Sequence, residues 1–129
     1  MNIFLTGGTG FIGSYVTKLL SDHGHSLSLL ARNPEKVPAL RHLPGVTIIP
    51  GTLSDFNIID QQMKGKDACI HIALGWGDEA VSMLQHDTLP SVYLFECAAR
   101  HKLSRFIYTS STAAVNNTPP DKEEGPEGP

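Results

Sequence analysis

Cysteines, aromatic side chains and net charge are all scarce in this sequence, and each scarcity narrows what the chain can be. Only two cysteines occur among 129 residues, Cys69 in an apolar strand-like run and Cys97 in a helical one. Neither has a partner at metal-ligand spacing, so no metal site is expected. Two buried free thiols fit a reducing compartment. Ten Lys and Arg against thirteen Asp and Glu leave a net charge of −3, which offers no basic footprint for nucleic acid or an anionic membrane. No apolar run reaches the ~20 residues that a bilayer span needs, and the first apolar stretch has no basic leader before it. A soluble, cytoplasmic protein is the expectation. No solenoid-type repeat is present, and the length fits one domain at most, burying about two-thirds of its unfolded surface.

What is abundant is glycine, and its placement is informative. Residues 6–13 read Thr-Gly-Gly-Thr-Gly-Phe-Ile-Gly, directly after the apolar run Asn2-Ile3-Phe4-Leu5. A glycine-rich turn between a first strand and a first helix is the arrangement that holds a dinucleotide pyrophosphate. Gly7 permits the tight turn, Gly10 leaves room for the diphosphate, and Gly13 allows close helix packing. The following helix directs free N–H groups and its positive dipole end toward the phosphates.

Strand and helix signals then alternate along the chain. Strands are predicted at Asn2–Thr6, Ser26–Ala31, Val46–Ile49, Ala68–Ile72 and Arg105–Thr109. Helices are predicted at Phe11–His23, where Ile12, Val16, Leu19 and Leu20 recur at helical spacing, and at Pro34–Arg41. Two more are expected, one from a cap at Asp55 to Met63 and one from near Asp87 to His101, with Pro90 a rival start. Short apolar strands alternating with helices imply a parallel sheet covered on both faces. The fold class is therefore α/β, a Rossmann-type doubly wound sheet with strand order 3-2-1-4-5. Residues 1–115 form this domain, and 116–129, rich in Pro, Gly and acidic residues, read as loop or disordered tail.

The end of the second strand bears on the cofactor. An NAD site usually carries an acidic residue about 20 positions past the last glycine. Here the sequence reads Ala31-Arg32-Asn33-Pro34. Arg32 can fork onto a 2′-phosphate, which points to NADP, with NAD as the alternative and a plainly solvated arginine as the bland reading.

The Thr-Gly-x-x-Gly-x-x-Gly motif resembles the short-chain dehydrogenase/reductase superfamily, and Phe11-Ile12 resembles its extended branch of epimerases, dehydratases and reductases. The resemblance implies that Gly7, Gly10, Phe11, Ile12 and Gly13 meet the cofactor, together with Arg32 and Asn33. Gly51-Thr52-Leu53-Ser54-Asp55 is similar to the branch's Gly-Asp-Leu-x-Asp. Thr52 stands where an Asp meets the adenine, leaving a hydroxyl and the Leu53 backbone for that contact. His71-Ile72-Ala73-Leu74 resembles His-x-Ala-Ala, so His71, Ala73 and Leu74 are expected beneath the ribose and nicotinamide, with His71 structural. Trp76 would lie in the loop over the same crevice. Asp87 and Pro90 depart from Asn and Gly in the branch's Asn-Val-x-Gly-Thr. Tyr108-Thr109-Ser110-Ser111-Thr112 is similar to the stretch carrying the catalytic hydroxyl, which aligns with Ser111, Thr112 being the runner-up. Val115-Asn116 replace the branch's Tyr-Gly.

The branch's base, a Tyr with a Lys four residues on, has no counterpart, since Tyr15, Tyr93 and Tyr108 are followed at that spacing by Leu19, Cys97 and Thr112. Two readings follow. In the first, the chain is the cofactor-binding part of an extended oxidoreductase, epimerase or dehydratase acting on a hydroxyl or carbonyl of a small-molecule substrate, and is itself inactive. In the second, it is a non-catalytic NADP-binding regulatory or interaction module. An exposed edge at the fifth strand also predicts self-association.

Overall fold

The computed structural model describes residues 1–75 and 78–111. Five strands, β1 (Asn2–Thr6), β2 (Ser26–Ala31), β3 (Val46–Pro50), β4 (Ala68–His71) and β5 (Arg105–Tyr108), form one sheet. All pairings are parallel and the order is β3-β2-β1-β4-β5. The helices are α1 (Phe11–Asp22), α2 (Pro38–Arg41), α3 (Phe56–Met63), α4 (Ala80–Met83) and α5 (Leu89–Arg100). No helix among the described residues is long and apolar enough to cross a membrane.

The central strands are apolar on both sides because both sides are covered. Phe4, Leu30 and Cys69 pack with Ile59 and Met63 of α3 and Leu94, Cys97 and Ala98 of α5. Ile3, Leu5, Leu27, Leu29 and Ile70 form the opposite core with Leu40 of α2. Successive side chains in a strand point to opposite faces, so alternate residues feed the two cores. Leu94 is fully buried, and truncating such a residue to Ala costs about 2–5 kcal/mol. Both cysteines are buried and free, as expected. Burial pushes the Cys69 thiol up to about 12.

Two expectations need correction, and two helices show features the sequence pattern does not carry. The predicted helix Pro34–Arg41 is two pieces, a 3₁₀ turn at Pro34–Lys36 and α2. Pro38 disfavours helical geometry at the residue before it, and Val37 sits at φ −131°, ψ 54°. The helix expected from near Asp87 to His101, with Pro90 as rival start, is α5, which carries Pro90 in its first turn and follows α4 and a π-helical turn, Leu84–Thr88. Pro90 lacks an N–H and crowds the carbonyl four residues back, and the wider turn just before it relieves that conflict. Asp55 occupies the cap position of α3 and its carbonyl accepts from the Ile59 N–H at 3.0 Å, but its side chain makes no capping bond; its Oδ2 turns back to accept from the Thr52 N–H at 2.6 Å.

A further feature concerns α1. Ile12 and Leu19 are each 58% exposed, whereas Gly13, Thr17 and Ser21 are buried. The helix lies on the protein by its small face, one residue per turn. Thr17 Oγ1 donates to the Gly13 and Gly8 carbonyls at 2.8 and 3.1 Å, and Ser21 Oγ to Pro44 at 2.6 Å. Small side chains permit an approach that leucines at those positions would prevent.

Among the described residues β5 pairs with β4 alone, and its Ile107 and Tyr108 are about half exposed. An apolar edge of this kind recruits other strands. The chain is expected to self-associate at high concentration, and Ile107→Lys to shift it toward monomer, as read by light scattering. A parent chain that stays monomeric throughout would contradict this.

Candidate dinucleotide site

The parallel register brings the ends of all five strands to one edge. Thr6 pairs with Leu30 and with His71, Ala31 with Pro50, and His71 with Tyr108. The segments leaving the strands therefore stand side by side. Thr52–Leu53 come first, then Arg32–Asn33, the glycine turn, Ala73–Leu74, and Ser110–Ser111. With strands ~4.8 Å apart, four gaps span about 19 Å. Ligands of open α/β sheets lie along this edge, beside the point where strand order reverses. That point lies between β1 and β4.

At the centre, Gly7 adopts φ +73°, a conformation that side chains disfavour. Gly13 packs so closely that a Cβ there would fall 2.0 Å from the Gly7 carbonyl oxygen. Its tight contact is with the glycine turn itself. A Cβ at Gly10 would meet only the Gly7 oxygen, at 3.4 Å, so that side of the turn is open. Gly10 accepts the first helical bond, from Ser14 at 2.8 Å. The N–H groups of Phe11, Ile12 and Gly13 precede that bond. Among the described residues no side chain caps them, and no acidic residue lies in the first turn. Three amides at the positive end of a helix beside an open glycine turn fit a pyrophosphate. Phe11 is 83% exposed at the mouth.

On the β2 and β3 side, Arg32 and Asn33 are exposed at the crevice edge. Among the described residues no carboxylate pairs with Arg32. The Thr52 hydroxyl is engaged within its own loop. It donates to Asp55 Oδ2 at 3.0 Å and accepts from the Ser54 N–H at 3.2 Å.

On the β4 side, His71 is 1% exposed and tied at both nitrogens, to Thr6 Oγ1 at 2.6 Å and Ser91 Oγ at 2.8 Å. Ser91 donates its hydroxyl proton to the Asp87 carbonyl at 2.7 Å. It must therefore accept from His71, which assigns the proton to Nε2 and leaves Nδ1 to accept from Thr6. Burial lowers the His71 pKa from 6.5, partly offset by the charge of Asp87. A neutral imidazole thus joins β1, β4 and α5, with the Tyr108 ring 5.4 Å from its own. Asp87, in sequence only a departure from the branch's Asn, accepts from the Gly75 N–H at 2.8 Å and holds the loop after β4 to the π-helical turn. The support that Ser91 and the Asp87 carboxylate give to the site is not legible in the sequence, where the only signal is their position one helical turn apart.

Ser111 lies exposed, three residues past the end of β5. Trp76, Thr112, Val115 and the 116–129 tail lie outside the described residues. The expectation that neither cysteine has a partner at metal-ligand spacing overlooks one grouping. Cys97 and His101, four residues apart on one helix face, meet Asp60 of α3 with all three ligand atoms within 4.8 Å of one another. The Cys-x-x-x-His spacing is the available signal.

A model of a family described as NAD(P)H-binding matches residues 7–127. Cinnamoyl-CoA reductase 2 of Arabidopsis thaliana is 30% identical over 123 residues, covering 91% of this chain and 37% of the relative. The decarboxylating sterol-4-alpha-carboxylate 3-dehydrogenase of Dictyostelium discoideum is 30% identical over 122 residues, 90% of this chain and 37% of the relative. Among solved structures, the UDP-Glc/GlcNAc 4-epimerase of Campylobacter jejuni superposes with a TM-score of 0.82 at 21% identity, covering 99% of this chain and 43% of that one. The chain thus spans about a third of the length of these curated relatives.

The His71 geometry carries a pH dependence. Protonation at Nδ1 would force the Thr6 hydroxyl to turn away, so the folded chain resists a proton that the unfolded chain takes up near pH 6.5. Stability from this source is present above that pH and lost as pH falls below it. The melting temperature is expected to drop between about pH 7 and about pH 5, less steeply in His71→Gln. Parallel curves for the two proteins would contradict the assignment.

Proposed function

We propose a function for a chain that belongs to the NAD(P)H-binding family and carries the Rossmann domain of extended short-chain dehydrogenases, reductases and epimerases. It holds NADP(H) along the carboxyl edge of the sheet and serves a protein that oxidises or reduces a hydroxyl or carbonyl of a small molecule. The observation that carries this reading is the open glycine turn beneath the uncapped amides of Phe11, Ile12 and Gly13.

The cofactor would supply the hydride, and this chain's residues would bind and orient it. The α1 amides and the helix dipole would take the pyrophosphate. Arg32, beside the turn and without a carboxylate partner among the described residues, would meet the 2′-phosphate with Asn33. Leu53 would face the adenine through its backbone, with Thr52 shaping that loop. Ala73 and Leu74, on the strand end fixed by His71, would floor the nicotinamide side. The Ser111 hydroxyl, at the far end of the same edge, would hold the reacting oxygen of the substrate, with Thr112 next to it in sequence.

A second reading is a non-catalytic NADP-binding regulatory module, supported by the resemblance of the run Arg32-Asn33-Pro34-Glu35-Lys36 to superfamily members that bind NADP and regulate. These 129 residues hold no Tyr-x-x-x-Lys, and lack of a general base costs about 10²–10⁴ in rate, so by themselves they should bind cofactor with little turnover under either reading. The fluorescence of Trp76, the single tryptophan, gives a titration signal. NADPH is expected to bind more tightly than NADH, and Arg32→Ala to weaken NADPH about tenfold or more, the scale of a charge-assisted hydrogen bond. Equal affinity for both cofactors in parent and variant would overturn the NADP assignment.

A further inference from the structure

On the core face between α3 and α5, at the end of the sheet away from the glycine turn, three unlike donor groups converge. Asp60 Oδ1 receives His101 Nε2 at 3.0 Å, the Cys97 thiol at 3.5 Å and the Arg100 guanidinium at 2.5 Å. Cys97 and His101 share one face of the helix end, and Asp60 comes from the neighbouring helix. Both supports are anchored in the core through Ile59, Met63, Leu94 and Ala98.

We propose that Asp60, Cys97 and His101 form a binding site for a divalent zinc-like cation, separate from the dinucleotide crevice. The donor set is carboxylate, thiolate and imidazole, which is the chemistry of zinc. Ligand atoms around a tetrahedral zinc stand roughly 3.3–3.5 Å apart for ordinary bond lengths. The distances from Asp60 Oδ1 to the imidazole and to the thiol, 3.0 and 3.5 Å, already bracket that range. The Cys97 sulfur is buried, while Asp60 and His101 are partly open to solvent and provide the entry. Three protein ligands leave the fourth position to water.

Binding requires two changes. The Cys97 thiol releases its proton to solvent as the metal–sulfur bond forms. Arg100, which shares the Asp60 oxygen, must swing away. Its side chain is half exposed and lies 6.0 Å from the Tyr93 ring centre, where a displaced guanidinium finds a face to rest on. Arg100 is therefore a competitor of the cation, and its removal strengthens the site. The bound ion would clamp α3 to α5 in place of the ion pair.

The test is titration of the purified chain with Co²⁺, read by the thiolate-to-cobalt charge-transfer band, and with Zn²⁺ by competition. One equivalent is expected to produce the band in the parent chain. Cys97→Ser should abolish it and weaken Zn²⁺ at least tenfold, while Cys69→Ala leaves it intact. Arg100→Ala, a surface change that should not disturb folding, is expected to tighten Zn²⁺ several-fold. Circular dichroism of each variant checks the fold. An absent band, a band that survives Cys97→Ser, or Zn²⁺ affinity unaltered by Arg100→Ala overturns the proposal.

Discussion

The contact between Gly13 and the Gly7 carbonyl is the constraint on which the rest of the site depends. A Cβ would fall 2.0 Å from that oxygen, so only glycine lets α1 begin where it does. Thr17 continues the contact by donating to the Gly13 and Gly8 carbonyls. With α1 pinned in this way, its first three amides and its dipole are aimed at the open side of the turn. The sheet register then does the rest, because parallel pairing delivers every strand end to the same edge. The affinity of the site is expected to come from backbone geometry at its centre and from side chains only at its flanks.

His71 supports the other wall of the crevice by a different device. Buried and neutral, it joins three elements through one imidazole. A buried polar group must find partners or cost stability, and the Thr6 and Ser91 hydroxyls meet that demand completely. Asp87 adds a carboxylate on the Gly75 amide. The branch that this sequence resembles has an Asn there, and a carboxylate can still accept that amide bond. Charge at this position also acts on the imidazole, partly offsetting the effect of burial.

Strands and their order were legible in the sequence because strands covered on both faces read as short apolar runs, and right-handed crossovers leave few topologies. The buried side of α1 was not. Amphipathic reasoning looks for large apolar residues on the inner face, and here close approach put Gly13, Thr17 and Ser21 inside. The prolines act in opposite directions. Pro38 divides a helix that looked continuous, whereas Pro90 sits within a helical run extended by a π-helical turn. In the site, the glycine motif and the strand-end positions followed from pattern alone. The engagement of the Thr52 hydroxyl with Asp55 and the meeting of Asp60 with Cys97 and His101 did not, since both depend on where side chains turn after the backbone is placed.

The central claim is that the amides at the start of α1 receive the dinucleotide pyrophosphate. Hydrogen exchange of the chain with and without saturating NADPH tests it most directly, because amides taken up by a ligand exchange more slowly. The account predicts added protection concentrated at Phe11, Ile12 and Gly13. NADPH binding that leaves exchange at these three residues unchanged would contradict it.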